Sequence, residues 1–166
     1  FEVMAARMGV VIARPEHETD QVTFLLHDSF THLIAIAAYY ERDQIEPPAK
    51  GYLLVSIRDI QSDIFDDEDG VTRGSITFQI YETALTADQF LKVREPASSA
   101  DFLQQPYSNK LPGATAPPCL DGTIYAIGAR INGKSHVVER HNCDVGYSQA
   151  ISAASPLISA AKTAFP

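Results

Sequence analysis

Hydrophobic and polar positions alternate most regularly in two stretches. In Ser75–Tyr81, Ile76, Phe78 and Ile80 fall on one side, which predicts an amphipathic strand burying that side. The second stretch flanks Asn132-Gly133. This pair supplies the two positive-φ positions of a type I′ turn between runs rich in β-branched and aromatic residues, so a hairpin is expected. With Ile131 paired to Lys134, its register sets Tyr125 opposite Arg140, Ile127 opposite Val138 and Ala129 opposite His136, leaving one face largely apolar. Shorter apolar runs at Val22–His27, Leu33–Tyr40 and Tyr52–Ile57 read as further strands. Alanine content leaves a helix as the alternative for the second run. Met8–Ala13 reads as a short strand or helix end stopped by Pro15, and Glu16–Gln21 as a polar loop.

Helical spacing appears twice. Thr86 followed by Gln89 matches a capping box, and Phe90, Leu91 and Val93 form a stripe that Pro96 is expected to end. Near the C-terminus, Ile-Ser-Ala-Ala occurs at Ile151 and again at Ile158. A separation of seven puts both isoleucines on one helix face, with Ser155-Pro156 expected to kink or restart the helix. Between these, residues 96–118 read as a long covering loop with one helical turn at Phe102-Leu103. The expected fold is a single α+β domain over 1–166. A mostly antiparallel sheet, with strands near 22, 33, 52, 75, 123 and 135, is covered by one mid-chain helix at 86–95 and a C-terminal helix.

A length of 166 residues with 45% hydrophobic and 20% charged residues suits one packed core. The net charge of −8 opposes nonspecific attraction to nucleic acid or an anionic membrane and permits a basic partner. No apolar run approaches the roughly 20 residues of a membrane span, and no basic start followed by an apolar stretch marks a signal peptide. The chain opens on Phe1, which a cleaved secretion signal or a trimmed chain would both explain. Cys119 and Cys143 fall just beyond the open end of the hairpin. A disulfide between them is expected, which implies a periplasmic or secreted location and contributes roughly 3 kcal/mol. Two unrelated cytosolic thiols are the alternative, and no Cys-x-x-Cys pair suggests a metal.

Candidate chemistry is densest at the end of the hairpin. His136, Glu139, Arg140 and His141, with Asp121 at its entry, are the candidate binding residues. Strand alternation puts His136 and Arg140 on one face and Glu139 and His141 on the other, so an acid–base or metal site would need His27 or Asp121 as well. A hydrogen-bonded structural cluster is the plainer expectation, with Asp121-Gly122 capping the hairpin entry. His27-Asp28-Ser29 has the residue types of a hydrolase triad but not its spatial arrangement. Five acids in Asp63–Gly70 resemble a calcium loop, yet aligning Gly70 with the loop glycine puts Phe65 and Ile76 at ligand positions. No phosphate loop, dinucleotide fingerprint, nucleophile elbow or His-Glu-x-x-His is present. No catalytic residue, metal or cofactor is therefore assigned.

Leu120-Asp121-Gly122, Tyr125, Gly133 and the His136-x-Val138-x-Arg140 strand resemble a motif of small uncharacterised bacterial α+β proteins. Those proteins have Leu-Asp-Gly, an aromatic residue usually Trp, a glycine turn, and a strand running into Arg-Trp-Ser-Pro. Here Tyr125 stands for the Trp, and His141-Asn142-Cys143 follows Arg140. The strand and helix opening of residues 76–90 are similar too, and the resemblance implies a fold but no site. The expected function is a non-enzymatic extracytoplasmic binding protein, such as an immunity or inhibitor protein occupying a toxin or hydrolase. A small hydrolase with a histidine-based site and a structural envelope component are the alternatives.

Overall fold

The computed structural model describes residues 19–27, 33–41, 51–59, 77–107, 122–144 and 147–166. Met8–Ala13, Asp28-Ser29, the acidic segment 63–70, Ile76, Cys119 and Asp121 lie outside the described residues. Among the described residues six strands form one wholly antiparallel sheet: β1 (Thr19–His27), β2 (Leu33–Glu41), β3 (Gly51–Asp59), β4 (Thr77–Leu85), β5 (Ile124–Ile131) and β6 (Lys134–His141). Helix α1 (Ala87–Ala97) and the single turn α2 (Ala100–Leu103) separate β4 from β5, and α3 (Tyr147–Ala164) follows the hairpin. The architecture is α+β, as the hydrophobic pattern predicts.

The strand order is β4-β3-β2-β1-β5-β6. The chain meanders outward from β1 to β4, crosses back through α1 and α2, and adds the hairpin on the other side of β1. β1 is therefore central, and β6 forms an edge. The hairpin has the expected register, with Ile131 opposite Lys134, Tyr125 opposite Arg140 and Ala129 opposite His136. Its turn has positive φ at both residues, 53° at Asn132 and 75° at Gly133.

Alternation gives the sheet two distinct faces. Val22 and Phe24 of β1, Ile36 and Ala38 of β2, Leu53 and Val55 of β3, Ile127 and Ala129 of β5 and Val138 of β6 form one core with α1, α2 and α3. From the helices come Phe90 and Val93, Phe102, and Ala150, Ala153, Ala154 and Leu157. Burying this apolar area against water is the main force holding the layers together. Leu25, Ala35, Ala37, Leu54 and Ala126 alternate onto the opposite face, are buried as well, and stand outside that cluster.

Three local expectations are corrected. Asp20 and Gln21, read as loop, are buried in β1. In β4 the helix-side residue that reaches the core is Leu85, whereas Ile80, expected inside, is 53% exposed. A two-residue period defines two faces but not which one is covered. Pro96 does not stop α1 at residue 95 as expected, and at Pro156 α3 runs on without a restart. Pro96 lies in the last turn of α1, where Ser98 N–H donates to the carbonyls of Arg94 (3.0 Å) and Glu95 (3.2 Å). Pro156 lies inside a continuous α3, whose alanine and leucine stripe on both sides of it is packed down. The capping box is present: Gln89 N–H donates to Thr86 Oγ1 (3.2 Å) and Thr86 N–H to Gln89 Oε1 (2.8 Å).

Candidate functional site

The predicted cluster at the end of β6 divides between the two sheet faces. Arg140, 2% exposed, points to the helix side. Its Nη1 donates to the carbonyls of Pro106 (3.1 Å), Tyr107 (3.2 Å) and Glu139 (2.7 Å), and its Nη2 lies 3.4 Å from Gln105 Oε1. The guanidinium thus pins the segment after α2 to the sheet edge. Burial lowers its pKa, and the charge of Asp144 partly opposes that shift. His136, on the same face, meets the Phe102 ring edge-on at 5.2 Å, and its buried Nε2 has no hydrogen-bond partner among the described residues.

Glu139 and His141 occupy the other face. Glu139 N–H donates to the Tyr107 carbonyl (2.6 Å), and Tyr107 Oη donates to Glu139 Oε2 (3.0 Å). Desolvation, then that bond and the carboxylate charge, raise the Tyr107 pKa. His141 is held through its backbone, which donates to Asp144 Oδ2 (2.8 Å). Its ring fills the place a Cβ at Gly122 would take, so the glycine of Leu120-Asp121-Gly122 is where an imidazole packs on bare backbone. The described part of the cluster fastens the hairpin edge. No group of three or more His, Cys, Asp or Glu able to hold a metal occurs among the described residues.

A second polar centre escapes sequence reasoning. Buried Asp20 accepts from Asn132 N–H at Oδ1 (2.8 Å) and from Arg94 Nε at Oδ2 (3.0 Å), joining β1, the hairpin turn and α1 at one carboxylate. Its partners lie 112 and 74 residues away, so no local pattern marks them.

An apolar concave feature among the described residues lies elsewhere. A cavity of about 740 Å³ separates the flank of α3 from the helix side of the sheet. Its floor crosses five strands, with Phe24 and Leu26 from β1, Ile34 and Ile36 from β2, Val55 and Ile57 from β3, Tyr81 from β4 and Tyr125 from β5. Its roof is Tyr147, Ile151, Ile158, Lys162 and Phe165. The paired isoleucines read from sequence therefore both line it. Helix geometry explains why the space exists. Ala150, Ala153, Ala154 and Ala161 let α3 sit close along one stripe, and the larger residues on the neighbouring stripe hold its flank away from the strands.

Polar groups in the cavity are few and placed at its ends. Near the start of α3, the Tyr147 and Tyr125 hydroxyls share a hydrogen bond, with ring centroids 5.2 Å apart. That bond, helped by burial and by the neighbouring phenol, pushes the Tyr147 pKa up to about 12. At the other end stands Lys162, the one charged side chain of the lining, which makes no hydrogen bond or ion pair among the described residues. The volume and apolar lining match ligand sites of roughly 300–1,000 Å³ that carry a small number of oriented polar groups.

No family model, curated protein or solved structure matches this chain. No described helix is long and apolar enough to cross a membrane.

Proposed function

We propose that this chain is a non-enzymatic binding protein that holds an apolar small molecule between its sheet and its last helix. The cavity under α3 carries this reading. A space of about 740 Å³ walled by Phe24, Leu26, Ile36, Val55, Ile151 and Ile158 gains free energy when hydrocarbon displaces water from it. The alternative of a histidine-based hydrolase cannot use His136 and His141 together, because they alternate onto opposite faces of β6, and it would have to draw on His27 or Asp121 as well.

Nile red, a neutral dye that brightens in apolar surroundings, tests the site. Saturable binding of one dye per chain is expected. Ile158→Trp, whose indole intrudes into the cavity, should weaken it while holding or raising the melting temperature. A chain that leaves the dye dark at every concentration is not this kind of carrier.

An oxidising compartment belongs to the same proposal, resting on the expected Cys119–Cys143 bond. Cys143 lies in the exposed turn after β6, at the open end of the hairpin. Thiol titration in denaturant without reductant should find about none. Two reactive thiols in fresh, unreduced protein would remove the argument for a periplasmic or secreted location.

A protein partner is the second reading, favoured by β4. No described strand pairs with its outer side, and it carries Ile80 and Tyr81, 53% and 41% exposed. An immunity or inhibitor protein could add a strand of its target there. Affinity capture should then recover one stoichiometric basic enzyme, and an Ile80→Lys variant should lose it.

A further inference from the structure

We infer that the cavity's ligand is an elongated amphiphile with a single anionic head, its hydrocarbon lying along α3 and its head at Lys162. This rests on the reading of the cavity as a ligand site and adds to it the ligand's shape, charge and direction.

Shape follows from the roof. The lining residues Tyr147, Ile151, Ile158 and Lys162 follow one flank of a continuous helix. The 15 steps from Tyr147 to Lys162 span about 22 Å at 1.5 Å per residue. The cavity is thus a trough, and its floor of one or two apolar side chains per strand lies across the strands under it. A compact ring system would leave much of that length empty, whereas an extended chain would touch Ile151 and Ile158 together.

Charge and direction follow from the ends. The Tyr125 and Tyr147 hydroxyls bond to each other, so that end presents no uncompensated charge. Lys162 is exposed at the other end, in the last turn of α3. The chain carries a net charge of −8, so an anion approaching most of its surface is repelled, and this ammonium is the lining group that can receive one. With hydrocarbon buried and the head at the rim, a carboxylate or sulfate keeps its water on one side and gains an ion pair on the other. A cationic head in that position would meet Lys162 directly.

Displacement of bound Nile red by dodecanoate, dodecanol and dodecyltrimethylammonium, each below micelle-forming concentrations at pH 8, tests the inference. Lys162→Met should weaken dodecanoate by about two- to fivefold, the range of an exposed ion pair. It should leave dodecanol unchanged and tighten the cationic detergent. Lys162→Arg should behave as the parent, and the parent and both variants should melt alike because Lys162 bonds to no described residue. If dodecanoate binds Lys162→Met as tightly as the parent, or if dodecanoate and dodecanol weaken together, the head assignment is wrong while the cavity remains a ligand site. If no alkyl compound displaces the dye from the parent, or if the dye never binds, the inference and the reading beneath it both fall.

Discussion

Gly133, in the hairpin turn, and Asp20, in the β1 strand that braces that turn, show how differently two residues can be read. At Gly133 the requirement is local. Its φ of 75° suits glycine, and a Cβ there would meet nothing within 4 Å, so the cost of Gly133→Val is backbone strain alone. Chemical denaturation should show a loss of about 1–3 kcal/mol. A loss under about half a kcal/mol would mean the turn tolerates what its dihedrals forbid. Asp20 was legible only as a polar residue before a strand, because both of its partners arrive from remote parts of the chain. Asp20→Ala strips the acceptor from Asn132 N–H and the counter-ion from Arg94, which is partly exposed and can turn to water. A loss of about 1–3 kcal/mol is expected. Asp20→Ala and Arg94→Met should be less than additive in a double-mutant cycle, since each removes the same ion pair.

Elements were more legible than single contacts, because periodicity and capping act over a few residues. The hairpin register, the capping box of α1 and the one-turn α2 all follow from nearest neighbours. The prolines did not, since what holds α3 together is packing against a sheet that the sequence does not display. Pro156 removes one backbone bond, to the carbonyl of Ser152, from an otherwise unbroken helix. Pro156→Ala should therefore stabilise the chain. The restored bond outweighs the roughly 0.4–1 kcal/mol that proline contributes by restricting the unfolded chain. A rise in melting temperature is the expected outcome; a fall would show that the proline ring itself is needed in the packing between α3 and its neighbours.

At the scale of the molecule, the class was legible and the assembly was not. Alternation announces strands but not their order, so the central place of β1 and the edge place of β6 came only with the fold. The cavity was hidden for the same reason, since its floor draws on β1, β2, β3, β4 and β5. Its tyrosine pair gives the whole fold a pH signature. The Tyr147 phenol is raised from 10.0 to about 12 in the folded chain, so the native state holds its proton longer than the unfolded state does. The stability this confers is full below pH 10 and is lost as pH rises toward 12. Tyr147→Phe should flatten that alkaline decline, measured by urea melts across the range. The strand order has a consequence in time as well. Until the ribosome has made β5, the edge of β1 that β5 will occupy stays open, although β2, β3 and β4 can already have paired. At about 5–20 residues per second, the stretch from Leu85 to Ile124 takes about 2–8 s to synthesise. For those seconds β1, with Val22, Phe24 and Leu26, is an edge strand with one side unpaired, the geometry that recruits a foreign strand most readily. A chain with this topology depends, more than its final stability suggests, on whatever shields it while it is being made.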